Sequence, residues 1–178
     1  MPKLLRSFVL AASAIALLTG CSSDKKEQNC PATTALIETS IATVFVPDGA
    51  PDPSRILYTV EVTGVHATCT IDKLALNSSS DVEVSFKATR APNGVGVTYK
   101  VPYFVAVSQE DRILAKKTFM TQFSFEPGQM TTTFTDTIDS TDVAAGKEKK
   151  TFDYLILVGL QLTKEQLDYN RTSGRLNP

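Results

Sequence analysis

The chain has no tryptophan and a single histidine, His66, in 178 residues. Without tryptophan, the indole-on-disulfide core of antibody domains is excluded. One histidine excludes any site built on two imidazoles, including the paired-histidine zinc motifs. A hydrolase triad would have to use His66 itself, and no serine sits in a Gly-x-Ser-x-Gly elbow. A phosphate-cradling glycine loop is also missing. Neither sign of charge dominates, with 18 Lys and Arg against 19 Asp and Glu. That balance argues against nucleic acid as a partner, because a nucleic-acid surface needs clustered positive charge.

The N-terminus has three parts. Lys3 and Arg6 are positive, residues 8–18 are uncharged and mostly apolar, and Thr19-Gly20 are small residues ahead of Cys21. This is the order of a secretory signal, and the apolar run is too short for a permanent membrane span. Leu17-Leu18-Thr19-Gly20-Cys21 resembles the lipobox of bacterial lipoproteins. The resemblance implies cleavage before Cys21, a diacylglyceryl thioether on its sulfur and a further acyl chain on its amine. In enterobacterial lipoproteins an Asp after the lipidated cysteine favours retention in the inner membrane. Ser22 therefore implies the outer membrane. Each buried methylene contributes about 0.8 kcal/mol, so two or three chains hold the protein on its membrane.

Loss of residues 1–20 takes Lys3 and Arg6 and no acid, which leaves 16 basic against 19 acidic residues and a mild −3. With Cys21 lipidated, Cys30 and Cys69 are an even pair in an oxidising compartment, and a disulfide between them is expected. The alternative is a metal site from Cys30, His66 and Cys69, which offers only three ligands. Residues 22–29 are polar and read as a solvated tether. Eight extended residues reach at most about 28 Å, so the domain is held close to its membrane.

Beyond Cys30 the apolar period is two. Residues 34–46 are rich in β-branched residues and read as one strand, which Pro47-Asp48-Gly49 and Pro51-Asp52-Pro53 end. Residues 56–63 alternate, with Gly64 as a candidate bulge. Residues 77–80, Asn-Ser-Ser-Ser, read as a loop. Val82, Val84, Phe86 and Ala88 alternate with polar residues. Asn93-Gly94 suits a turn. Val97, Tyr99, Val101, Tyr103, Val105 and Val107 share a face, and Ile113, Ala115, Phe119, Phe123 and Phe125 share the face of the returning strand. Residues 130–138 are a Thr-rich strand, and 139–150 a polar loop. Residues 152–160 form a last strand whose Leu155 and Leu157 make it apolar on both faces, as a central strand would be. Thr163 and Gln166 are spaced as a capping box for a short helix, and Arg171 suits its C-terminus.

The expected fold is all-β: an immunoglobulin-like antiparallel β-sandwich of about seven strands with a short C-terminal helix, with a small closed β-barrel as the alternative. The expected divisions are a signal peptide at 1–20, a lipidated tether at 21–29, the sandwich at 30–171 and a loose tail at 172–178. The segments 103–107 (Tyr-Phe-Val-Ala-Val) and 161–171 resemble a family of uncharacterised small lipoproteins of alphaproteobacteria, a likeness that implies no activity.

Three clusters could carry chemistry. Asp136, Asp139 and Asp142 recur every three residues and read as a solvated acidic loop, with oxygen ligands for calcium as the alternative, although the EF-hand spacing is missing. Lys147, Lys149 and Lys150 make a short basic run that reads as a solvated loop. Tyr99, Tyr103, Phe104, Phe119, Phe123 and Phe125 read as packed core, with a ligand cavity as the alternative. Phe104, out of phase, would mark a contact surface if it faced outward.

No cofactor is expected, and no catalytic role for His66. The function expected is that of a non-catalytic protein-interaction or envelope-assembly module, membrane-bound through its lipid and paired with another envelope protein. The alternative is a small-ligand or lipid-binding lipoprotein with a cavity of roughly 300 Å³ or more between its sheets.

Overall fold

A computed structural model describes residues 30–49, 51–72, 76–92, 94–145 and 149–174. Cys21, the signal peptide, the tether, Asn93, Lys147 and the last four residues lie outside the described residues. Among those described there are eight strands: β1 (Ala32–Ala35), β2 (Ile41–Phe45), β3 (Ile56–Asp72), β4 (Asn77–Arg90), β5 (Val97–Gln109), β6 (Arg112–Phe125), β7 (Thr131–Ala144) and β8 (Tyr154–Leu160). An α-helix, α1 (Lys164–Thr172), follows them. The strands form two four-stranded sheets, ordered β1-β8-β5-β6 and β2-β3-β4-β7. The fold is the expected sandwich, and the strands do not close into a barrel.

The period-two pattern explains the core. Val60, Val82, Val84 and Phe86 from one sheet and Tyr103, Phe125, Ile156, Val158 and Leu160 from the other are all buried in one cluster. β8 lies between β1 and β5 and is buried on both faces from Ile156 onward, as its double-sided apolar pattern predicts. The β3–β4 register skips Thr63, so the bulge falls beside Gly64.

Three expectations need correction. Residues 34–46 are not one strand. β1 pairs parallel with β8, and β2 pairs with β3 in the other sheet. Between them Thr39 and Ser40 hydroxyls donate to the carbonyls of Leu36 and Ile37, and the chain crosses in a tight 3-10 turn. Residues 77–80 are strand rather than loop, because β3 and β7 pair with them on both sides and override their composition. β7 also runs on past Ile138 to Ala144, around a bulge at Asp139-Ser140 where Ser140 takes φ 57° and its N–H donates to Asp81 Oδ1.

One side of the sandwich is closed. Cys30 and Cys69 form a disulfide, Cα to Cα 6.0 Å, that ties the approach to β1 to β3 in the opposite sheet. α1 lies against the free edge of β2. Asn170 Nδ2 donates to Ile41 O at 2.7 Å and Gln166 Nε2 to Thr43 O at 3.1 Å. Four residues of helix rise about 6 Å and two of strand about 6.6 Å. Amides at i and i+4 therefore meet the outward carbonyls of alternate strand residues. Gln166 also completes the expected capping box: its N–H donates to Thr163 Oγ1 and its Oε1 accepts from Thr163 N. Both sheets, the core and the disulfide lie within residues 30–174, so a chain starting after Cys21 keeps them all.

Candidate functional site

The other side is open. β6 ends one sheet and β7 the other, each 14 residues long, and neither has a strand on its outer flank among the described residues. The turn at residues 126–130 joins them, and β7 runs back past β6 and packs on it. The N-terminal half of β6, residues 112–118, is exposed throughout. Ile113, Leu114 and Met120, all on this strand, are 55%, 50% and 60% exposed, although residues of that size are usually covered. Ile113 was expected in phase with Ala115. The register instead shifts at Leu114, one extra residue, and turns Ile113 to the outer face opposite Ser108.

Charge divides between these edges. β6 carries Arg112, Lys116 and Lys117 and no acid; β7 carries Asp136, Asp139 and Asp142 and no base. Between them lies a cleft of about 200 Å³. Val105, Val107, Phe119 and Ile138 floor it, with Lys116 and Lys117 on one lip and Asp139 and Asp142 on the other. The lips are at the same height along the strands, yet among the described residues no ion pair joins them. Lys116 Nζ sits 4.1 Å from the Phe104 ring centroid and Lys117 Nζ 5.2 Å from that of Phe119. Across this side Tyr103 Oη donates to Asp136 Oδ2 at 2.9 Å. Burial, then the bond to Asp136, pushes the Tyr103 hydroxyl well above the ordinary tyrosine range.

The three aspartates do not assemble a calcium site. Asp136 pairs opposite inward-facing Val84 and reaches Tyr103, whereas Asp142 pairs opposite Ser79 on the outer face. Among the described residues no group of three His, Cys, Asp or Glu side chains converges to hold a metal. The metal reading of Cys30, His66 and Cys69 is overturned, because both sulfurs are spent in the disulfide. His66 is exposed opposite Glu83, on the face of β3 away from Cys69.

Five of the six aromatics singled out by sequence lie between the sheets. Tyr103 stacks on Phe119 at 5.5 Å and Phe123 on Phe134 at 4.8 Å, Tyr58 and Tyr99 meet at a tilt 4.3 Å apart, and Phe125 is 1% exposed. Phe104 does face outward, but it is no contact surface. It is buried with Ala106 and Leu157 under Leu36. A Cβ on Gly159 would collide with Thr39 Oγ1 and the Phe104 ring, so this packing requires glycine there.

At the disulfide end, a pocket of about 310 Å³ is lined by Ile71, Leu76, Ala145 and Phe152, with Lys149 and Lys150 at its rim. Lys149 pairs with Glu110 at 2.9 Å, and that bond holds the Glu110 carboxyl below its usual range. The pocket lies at an end of the sandwich rather than between the sheets. The cleft between the sheets is smaller than the carrier reading requires.

Sequence reasoning overlooked Arg90. It is 9% exposed at the end opposite the disulfide. Its guanidinium donates to the carbonyls of Gln129 (2.8 Å), Val95 (2.6 Å), Gly94 (3.2 Å) and Glu126 (2.8 Å), and it lies 4.5 Å from the Phe125 ring centroid. It therefore clips the β4–β5 connection to the β6–β7 turn. The available signal was its position: it occupies an inward phase of β4, where an apolar residue belongs.

No protein-family profile matches the chain, and neither a curated protein nor a solved structure matches it.

Proposed function

We propose that this chain is a cell-envelope lipoprotein, anchored through lipid on Cys21 and facing the periplasm from the outer membrane, that acts as a non-catalytic protein-interaction or envelope-assembly module. The observation that carries this reading is the open side, with two long edge strands whose outer backbone groups have no strand partner among the described residues. Such edges are where strand addition occurs. The lipobox-like Leu17–Cys21 motivates the anchor. The Cys30–Cys69 disulfide fits an oxidising compartment. Because Cys30 is held by that disulfide, the free length of the tether ends there and the open side stays within about 28 Å plus one domain width of the lipid.

Mass spectrometry of the membrane-extracted protein tests the anchor: an N-terminal acylated Cys21 is expected, and an intact Met1 or a bare Cys21 in the soluble periplasm overturns it. Crosslinking in intact cells followed by affinity capture tests the module. A reproducible stoichiometric partner is expected, and recovery of bulk abundant proteins alone counts against it. The pocket at the disulfide end, with its apolar wall and lysine rim, favours a second reading as a small-ligand or lipid binder. Native mass spectrometry decides that one, since a clean apo mass removes it.

A further inference from the structure

We infer that the open side binds a second copy of this chain, through two symmetric strand pairings that join the β6 edge of each protomer to the β7 edge of the other. The inference rests on the reading of this side as a binding surface and names its occupant.

Charge selects the pairing. A β6 edge brought to another β6 edge sets Arg112, Lys116 and Lys117 against the same residues, and β7 against β7 sets aspartates against aspartates. Lysines on an edge normally guard it from addition. The same lysines attract an edge that carries only acids. β6 against β7 is the combination that places opposite charges together.

Topology then supplies the symmetry. β6 and β7 are the edges of the two different sheets and lie one above the other on the same side. A two-fold axis alongside this side, running with the strands, turns the second copy upside down. Its β7 then meets the first copy's β6, and its β6 meets the first copy's β7. Both contacts form at once, so the assembly closes as an isologous dimer and does not run on as a filament. Rotation about such an axis preserves height along the strands. Lys116 and Lys117 are level with Asp139 and Asp142 within one protomer, as the shared cleft shows, so they are level with the partner's aspartates too. Because β7 runs back past β6, each new pair is antiparallel, and the two sheets become two continuous eight-stranded sheets. Ile113, Leu114 and Met120, exposed on β6, come to lie beside the partner's strand.

Sedimentation velocity of the chain from Ser22 onward tests this. A reversible dimer is expected, with association weakened roughly tenfold or more between about 0.05 M and about 0.5 M salt as the charges are screened. Two exposed double variants, K116E/K117E and D139K/D142K, are each expected to be monomeric. An equimolar mixture of the two restores the dimer as a heterodimer, because one seam then pairs glutamates with lysines and the other keeps the native pairing. Carbodiimide crosslinking of a mixed light and ¹⁵N-labelled sample is expected to give intermolecular links from Lys116 or Lys117 to Asp139 or Asp142. A wild-type chain that stays monomeric up to about 1 mM, the weak end of specific association, overturns the proposal. So does a dimer that both variants retain, or a mixture that stays monomeric. None of these results bears on the acyl group at Cys21 or on capture of a different envelope protein, so the broader reading can fail or survive separately.

Discussion

The two sides of this sandwich treat the same hazard in opposite ways. Every open sheet has edges, and an uncovered edge is a template for another strand. On the closed side β1 is only four residues long, and the Ile41 and Thr43 carbonyls of β2 accept from Asn170 and Gln166. A disulfide holds the two sheets together there. On the open side two edges of 14 residues stand bare among the described residues, guarded by charge, and behind β6 Tyr103 of β5 bonds across the sheets to Asp136 of β7. Cover protects an edge against all comers. Charge of one sign protects it only against its own kind, and so leaves it selective.

The sharpest way to break the contrast is to weaken the closed side at its covalent tie. Closing a 39-residue separation is worth about 4 kcal/mol in the chain-entropy model, so Cys69→Ala should lower unfolding free energy by about that amount in urea titrations. A variant as stable as the parent would show that the sheets on that side do not need the bond. On the open side the strongest single hold is Arg90, which fixes the turn leading into β7. Arg90→Ala leaves four carbonyls to water and is expected to cost about 3 kcal/mol, and Arg90→Lys nearly as much, because an ammonium lacks the planar fork. Full rescue by lysine would contradict that role.

Removing the cover tests whether it acts as cover. Asn170→Ala is expected to cost about 2 kcal/mol. Combined with Gln166→Ala it should also make the protein aggregate on storage, as measured by light scattering. A nine-residue helix is not stable alone, so its release would bare the β2 edge. Loss of stability without aggregation would mean that the two amides act only as local bonds.

The smallest effect expected is Tyr103→Phe, about 1 kcal/mol at neutral pH. Its pH dependence identifies the clasp. The folded-state pKa is raised above the ordinary value of about 10, so the unfolded chain ionises first. The hydroxyl's contribution is complete below about pH 10 and is lost as pH rises from there toward the folded-state value. Tyr58 is raised too, by burial, and shares that decline. Tyr103→Phe should flatten the alkaline loss of stability in part; an unchanged profile would show that Tyr103 is not the group responsible.

Much of this fold was legible because alternation is a local property. β5, β8 and the Thr163–Gln166 cap stand where their patterns put them. The misreadings lie where a distant strand overruled local chemistry. Ser78 and Ser80 read as loop from composition, but pairing with β3 and β7 makes them buried strand. The run 34–46 reads as one strand because both halves are β-branched, and only the three-dimensional path shows the crossing between sheets. The candidate site was half visible. The acidic spacing of β7 reads as a loop and the basic residues of β6 carry no pattern of their own, because their opposition exists only once the two edges lie side by side. Arg90 escaped notice because its four partners come from turns up to 39 residues away.

The contrast between a covered and an uncovered side is tested most directly by amide hydrogen exchange at two protein concentrations. Protection of residues 41–45 should be high and independent of concentration. Protection of residues 112–118 and 136–144 should be low in dilute protein and rise as concentration increases. Equal protection of all three segments at both concentrations would contradict the account.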